Sequence, residues 1–406
     1  MAKKFVSEKA PFIRNMDEKV TTTTKMMTDV VIALLPIILF AWFKNGILPY
    51  INQFNPINST FLPYYNQVVR VSFWEMLHPL IFIVLGGIFS VVLEGLYFLL
   101  FKYYFPNKYT TPKRTWNFKT IINEVKNSYA LIPGLILALI LPVNTPIYVL
   151  LFGCFFANIV FKMLYGGFGK NIFNPALIAY VIILASFWGV IANAGGSLNP
   201  IEVVTGASPL YTFNAAKEIT YNNVVAPYGN LWSFFFGFVP GSMGETCSFL
   251  IIIAFVYLVI KEVISWVVPV FYVSTVFILS LIIALVNGYN DGGIFWYPIF
   301  QVISGGLLFG AVFMATEPVT TPRSPNGRAI FGVFLGIFTL LFRLVGSLTG
   351  GVATAILFVS LFGGVIDRIA SKLRMHRTNY RSILGYLIII LVMVALSFYV
   401  VIKVKI

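Results

Sequence analysis

The stretch Gly166-Gly167-Phe168-Gly169-Lys170-Asn171-Ile172-Phe173-Asn174-Pro175 sets three glycines, a lysine and two asparagines ahead of an apolar run. Glycines let another group approach the backbone closely, and a helix beginning at Asn174-Pro175 offers unpaired N–H donors to an anion or a carbonyl. A polar ring system could dock there; Asn174 as an ordinary helix cap is the competing reading. A second stretch, Met314-Ala315-Thr316-Glu317-Pro318-Val319-Thr320-Thr321-Pro322, separates two apolar runs with a carboxylate at its centre. Ionisable groups at membrane depth are costly and tend to be functional, which singles out Asp29, Glu94, Glu245 and Glu317. For Asp29 and Glu94 an ion-pathway role and a helix-to-helix hydrogen bond both stay open, while Asp367 beside Arg368 reads as an ion pair. A third stretch, Glu202-Val203-Val204-Thr205-Gly206-Ala207-Ser208-Pro209, surrounds a hydroxyl with small residues and forms a turn in which a modifying enzyme could reach the Ser208 oxygen. A fourth, Gly241-Ser242-Met243-Gly244-Glu245-Thr246, is a glycine-rich entry to another apolar run and reads as a helix cap.

The elements that must position these groups belong to a bilayer. The chain has 406 residues, of which 59% are hydrophobic and only 10% charged, against roughly 25% charged in an ordinary soluble domain. Lys and Arg number 28 and Asp and Glu 14, a net charge of +14. No basic stripe with interleaved stacking aromatics accompanies that excess, so nucleic acid is not an expected partner, and membrane topology accounts for it better. Cys154 and Cys247 are the only cysteines, too few for a disulfide framework or a thiolate cluster, and no metal-ligating cluster is expected. The first 25 residues are mixed and charged, without the apolar core of a cleavable signal peptide.

A helix needs about 20 mostly apolar residues to cross the hydrocarbon core, fewer where it is broken among neighbours. Eleven runs qualify, at 26–43, 80–101, 129–141, 147–161, 174–192, 247–260, 266–286, 299–314, 328–346, 351–366 and 383–402. With the amino terminus inside, alternate connections carry 22 of the 28 Lys and Arg residues on the cytoplasmic side, as expected of short retained loops. The remaining six are Lys44, Arg70, Lys217, Arg343, Lys403 and Lys405. This arrangement puts a long loop, 193–246, outside. The expected organisation is a cytoplasmic segment 1–25, a transmembrane domain 26–366, a basic cytoplasmic loop 367–382 and an additional helix 383–402. No extramembrane stretch is long enough for a catalytic domain, so no catalytic residues are assigned. Short or Pro/Gly-interrupted spans point to a central site, and 129–141 with Pro133 and Gly134 is one such span; 314–325 is a second broken region.

At these motifs the chain resembles the D subunit of the Rnf complex, an ion-translocating ferredoxin:NAD oxidoreductase, and its relative, the B subunit of the sodium-translocating NADH:quinone oxidoreductase. The resemblance is carried by Pro11-Phe12-Ile13-Arg14, by Lys25-Met26-Met27-Thr28-Asp29 through Pro36, by the Asn-Pro-Ala-Leu segment at Asn174, and by Gly241 to Thr246. Met314 to Val319 and Gly364-Val365-Ile366-Asp367-Arg368 complete it, in the correct order. The family implies FMN esterified through its phosphate to a hydroxyl in an Asp-x-x-Ser-Gly-Ala-Thr pattern on the outer side, which here reads Glu202, Thr205, Gly206, Ala207 and Ser208, with Ser208 as the acceptor. It further implies riboflavin held near the residues matching Asn171, Asn174 and Glu317. The implied fold is an all-α polytopic membrane protein: ten family-type transmembrane helices with a urea-transporter-like pseudo-repeat, to which the run at 383–402 adds an eleventh. No internal repeat is evident on inspection.

The resemblance implies a membrane electron-transfer subunit of a flavin-containing complex that couples ferredoxin and NAD redox chemistry to sodium or proton translocation, in a bacterial cytoplasmic membrane. Its partners are then the other membrane and peripheral subunits, a flavin transferase and the lipid bilayer. The quinone reductase branch is one alternative. A urea-transporter-like solute channel or a cofactor-free scaffold is another, because fold alone does not settle function.

Overall fold

The computed structural model describes residues 23–55, 70–100, 118–194, 209–216, 218–346, 351–374 and 380–405. Its helices, in chain order, are α1 (Thr23–Asn52), α2 (Phe73–Leu99), α3 (Phe118–Ser128), α4 (Leu131–Ile140), α5 (Ile147–Met163), α6 (Pro175–Ser186) and α7 (Ser248–Ile260). They continue with α8 (Val267–Asn287), α9 (Trp296–Ile303), α10 (Leu307–Met314), α11 (Pro325–Val345), α12 (Gly351–Arg374) and α13 (Tyr380–Lys405). Short helices fill the connection between α6 and α7, and the described residues include no strand. Among the described residues, five helices are long and apolar enough to cross a membrane, α9 and α10 form one bent pair, and there are five shorter apolar helices. These are the eleven expected runs, one for one. The molecule is therefore an all-α multi-pass membrane protein.

Local chemistry sets the helix ends. Ser72 and Glu75 form a reciprocal capping box at the start of α2, satisfying N–H groups that the first turn leaves without intrahelical partners. Ser324 caps α11 through Gly327 N–H, with Pro325 in the first turn. Where a single span was expected at 299–314, the chain bends by 57° between α9 and α10. Gly305 and Gly306 adopt φ of +63° and +70° there, a region that side chains with a Cβ avoid. The run expected to end at 192 is also divided, because Phe187 (φ −127°, ψ 31°) leaves helical geometry after α6.

Packing between helices relies on small residues, as expected where lipid supplies no hydrophobic drive between them. A Cβ added to Gly134 of α4 would lie 2.1 Å from the Gly86 carbonyl oxygen of α2. Gly332 and Gly336 let α11 lie directly on the Val268 and Tyr272 carbonyls of α8. Outward-facing apolar side chains such as Leu39, Leu285 and Leu391, 57%, 57% and 68% exposed, form the surface available to lipid.

Three cations assigned to loops lie inside the bundle instead. Lys44, Lys162 and Arg343 are 1%, 2% and 1% exposed, and each sits on a π-helical turn, at Phe43–Ile47, Phe156–Met163 and Leu341–Val345. Buried charge demands polar partners, and each cation has them. Lys44 Nζ donates to the Val239 carbonyl (2.5 Å) and to Thr246 (2.8 Å). The Arg343 guanidinium donates to the carbonyls of Gln301, Ser304 and Gly305 at 2.7, 3.0 and 3.0 Å, collecting the carbonyls that the α9 break frees.

Two similar short motifs follow α4 and α10. Pro142-Val143-Asn144-Thr145-Pro146 follows α4 and Pro318-Val319-Thr320-Thr321-Pro322 follows α10. Thr145 donates its hydroxyl to the Pro142 carbonyl (2.7 Å), and Thr321 donates to that of Glu317 (2.7 Å). The end of α4 receives Gly244 N–H on the Leu139 carbonyl (2.8 Å), so Gly241 to Thr246 docks on α4, and the start of α7 has no side-chain cap where one was expected. The end of α10 receives Asn174 Nδ2 on the Met314 carbonyl (3.5 Å).

These bonds join the connections in two separate sets. One set brings together the start of α1, Tyr129, the α5–α6 connection, the α10–α11 connection and Asp367. The other brings together Lys44, Val239 to Thr246, the end of α4 and the α9–α10 break, with Asp291 accepting from Tyr221 N–H in the neighbouring connections.

Candidate functional site

The first set of connections lines a partly open cavity of about 110 Å³. Its walls are apolar: Met26, Met27 and Val30 from α1, Ile132, Pro133 and Ile136 from α4, Leu258 from α7, and Val312 and Phe313 from α10. Two aromatic rings complete them, Tyr129 against Phe168 edge to face with centroids 4.9 Å apart. Tyr129 holds φ at +53°, an outlier for a bulky residue and the kind of local strain that surrounding structure must over-determine. Its hydroxyl is 3.0 Å from that of Thr24.

One end of the cavity is polar and is built from Lys162, Asn171, Asn174, Thr316 and Glu317. Asn171 Nδ2 donates to Glu317 Oε1 at 2.7 Å and to the Phe173 carbonyl at 3.0 Å. Glu317 lies in the non-helical connection between α10 and α11, where burial pushes its carboxyl above the ordinary carboxylate range. Its second oxygen, Oε2, is buried and makes no hydrogen bond of ordinary geometry, with the Thr320 hydroxyl the neighbouring donor of the same connection. The N–H donors expected at the start of α6 are already taken, because Asn174 Oδ1 accepts from Ala176 and Leu177 at 3.1 and 3.3 Å. The cap reading holds there, and side chains rather than a helix terminus furnish the polar end.

Lys162 joins this cavity to α2. Its ammonium is 2.5 Å from Glu94 Oε1, with the side chains 2% and 0% exposed, and it is electrostatically coupled to Glu317. One turn away Asn158 donates to Ser90 at 2.7 Å, and a further turn away Cys154 approaches the Gly86 carbonyl at 3.6 Å. Gly86, Ser90 and Glu94 thus face Cys154, Asn158 and Lys162 at matched four-residue intervals. That spacing was available in the sequence as the signal for Lys162, Asn158 and Ser90, none of which was singled out. Asp29 stands beside the cavity on α1 and accepts from the Tyr257 hydroxyl at 2.8 Å. Asp367 accepts from the backbone N–H and hydroxyl of Ser324 at 2.9 and 2.7 Å.

Of the residues anticipated from sequence, Asn171, Asn174 and Glu317 meet at one cavity end, and Asp29 and Glu94 flank it through Tyr257 and Lys162. Glu202, Thr205, Gly206, Ala207 and Ser208 lie outside the described residues. The chain resumes at Pro209, and Leu210 packs against Gly305, where an added Cβ would fall 2.0 Å from its Cδ1. From Pro209 on, the polypeptide therefore packs at the α9–α10 break.

A multi-pass helical membrane protein with a bent inner span and an apolar cavity ended by amides, an ammonium and a carboxylate is the class that fold and site define. Residues 6–376 match the NQR2, RnfD, RnfE family, and the chain belongs to that family. It is 30% identical over 335 residues to the D subunit of the proton-translocating ferredoxin:NAD(+) oxidoreductase complex of Clostridium ljungdahlii, covering 81% of this chain and 83% of the relative. It is 31% identical over 204 residues to the D subunit of the Na(+)-translocating ferredoxin:NAD(+) oxidoreductase complex of Acetobacterium woodii, covering 50% and 59%. To the B subunit of the Na(+)-translocating NADH-quinone reductase of Chromohalobacter salexigens it is 31% identical over 263 residues, covering 64% and 62%.

Proposed function

We propose that this chain is the membrane electron-transfer subunit of an ion-translocating ferredoxin:NAD oxidoreductase complex, holding FMN covalently at Ser208 and riboflavin in the cavity ended by Asn171, Asn174 and Glu317. The likeness to the clostridial D subunit over four fifths of the chain supports the complex type, and it extends further than the likeness to the quinone reductase protein. The buried Glu317 Oε2, which makes no hydrogen bond of ordinary geometry, is the observation that carries the riboflavin reading. A flavin ring presents an imide N–H between two carbonyls. Glu317 Oε2 supplies an acceptor for that N–H, while Lys162 and Asn174 supply donors beside it. The apolar walls, with Tyr129 and Phe168, suit part of an aromatic ring system, and the cavity is open on one side, so the remainder of a fused ring would extend out of it. A bound flavin supplies one- and two-electron chemistry, and the protein supplies placement and electrostatics.

Leu210, two residues after Ser208, packs at the α9–α10 break, while the cavity is ended by the α5–α6 and α10–α11 connections. This supports two separate flavin positions, each of which would supply redox chemistry where it is held. Charge asymmetry supports a cytoplasmic amino terminus and an outer 193–246 loop in a bacterial cytoplasmic membrane. Glu202, Thr205, Gly206 and Ala207 then form the motif that a flavin transferase reads, and other members of the complex supply and accept electrons. Asp29 and Glu94, flanking the cavity, are the ion-pathway carboxylates of this reading.

The test is in-gel flavin fluorescence of the denatured chain co-produced with a flavin transferase, beside Ser208→Ala. A band present in the parent and missing from the variant is expected. Equal fluorescence in both would move the attachment elsewhere, and no fluorescence in either would remove the covalent FMN from the proposal.

A further inference from the structure

Lys162 is the one ammonium on the cavity wall among the described residues. Charge on a buried lysine is retained only with a partner, and Glu94 provides it from outside the cavity while Glu317 stands within electrostatic reach at the cavity end. An ammonium has three N–H bonds, and Glu94 takes one of them. The remaining donors and the positive field are available to whatever occupies the cavity. A flavin ring that accepts two electrons and one proton gains one net negative charge, centred on its pyrimidine portion. The site can favour one redox form only by binding it more tightly than the other.

We infer that Lys162, anchored by Glu94, stabilises the reduced, anionic form of the ring bound against Asn171 and Glu317, an inference that rests on the flavin reading of the cavity. Lys162 is a positioning and tuning residue here rather than a redox centre. The pairing makes the two partners act in opposite directions. Removing Lys162 takes away the field that favours the reduced form, whereas neutralising Glu94 frees that field from its counter-charge.

The experiment uses the full chain in its complex, in a Ser208→Ala background so that no flavin attached at Ser208 contributes to the redox titration, with riboflavin added as the probe. The Lys162→Met/Glu94→Gln pair, which leaves neither partner as a lone buried charge, also loses a donor to the oxidised ring, so the quantity read is the difference between its effects on the two redox forms. Its binding of the reduced form is expected to weaken about tenfold more than its binding of the oxidised form, a fall in midpoint potential of about 30 mV for a two-electron couple. Glu94→Gln alone should raise the potential, and Lys162→Arg should restore the parent value. A parental potential in the double variant with riboflavin bound, or a fall in both Glu94→Gln and the double variant, would overturn the role of Lys162 and leave the flavin reading intact. Absence of riboflavin from the parent, with none taken up on addition, would overturn the flavin reading and this inference together.

Discussion

At the scale of single residues, the bundle interior tolerates charge only where a partner is built in. Glu94 and Lys162 satisfy each other at 2.5 Å with neither side chain exposed, and removing one strands the other. Lys162→Met alone should lower stability by about 3–5 kcal/mol, as for other broken buried pairs, while the Lys162→Met/Glu94→Gln double variant should recover most of that loss. Thermal unfolding of the detergent-solubilised chain measures both, and equal losses in the single and double variants would refute the pairing. Asp29 differs, since its carboxylate is held by the neutral Tyr257 hydroxyl at 2.8 Å. Under the ion-pathway proposal Asp29→Asn should lower the ions translocated per electron in vesicles, whereas Tyr257→Phe should leave that ratio near the parent; an unchanged ratio in Asp29→Asn would remove Asp29 from the pathway. The sequence exposed the unusual carboxylates, because any acid in an apolar run stands out. It did not reveal their partners, which lie on other helices and, for Glu94, include a lysine whose place in the chain suggests a loop.

At the scale of elements, irregular backbone occurs where the helices must meet or turn. The three buried cations all sit on π-helical turns, a local widening that is frequent at functional positions. Arg343 binds the carbonyls exposed by the α9 break, so the 57° bend is held by a side chain from α11. The α2–α4 crossing depends on the absence of side chains at Gly86 and Gly134. Gly134→Val should abolish folded yield, since its Cβ would meet the Gly86 carbonyl oxygen at 2.1 Å, whereas Gly364→Ala, with nothing within 4 Å, should fold normally. Size-exclusion profiles of fluorescently tagged chains distinguish the two, and a normal profile for Gly134→Val would overturn the close-packed crossing. Helix existence was legible from apolar run length. The break at Ser304 to Gly306 was not, because two glycines inside an apolar run also suit a continuous, closely packed membrane helix.

At the scale of the whole molecule, hydrogen bonds among the described residues sort several connections into two sets, and the loop charges assign those sets to opposite sides of the membrane. This gives the topology a direct test. The native Cys154 and Cys247 are both buried, so background labelling by a membrane-impermeant maleimide should be low. Lys261 and Asn290 are exposed in connections at either end of α8. Asn290→Cys should label in intact cells and Lys261→Cys only after permeabilisation; the reverse pattern would invert the proposed orientation and place the Ser208 motif on the cytoplasmic side.

The sequence by itself determined the membrane class, the number and approximate ends of the apolar helices, and the polar motifs at Asn171, Asn174 and Glu317. Those features depend on composition and on order along the chain, which are properties of a one-dimensional string. Only the tertiary structure decided that the α5–α6 and α10–α11 connections line one cavity, that Lys162 faces Glu94 across two helices, and that Lys44 and Arg343 are interior pins instead of loop charges. Residues separated by 68 positions in the Lys162–Glu94 pair and by 146 in the Asn171–Glu317 pair become neighbours only when whole helices pack. The physical reason is that a buried charge or amide must find its partner in space, and in a helical bundle that partner is rarely nearby in the chain.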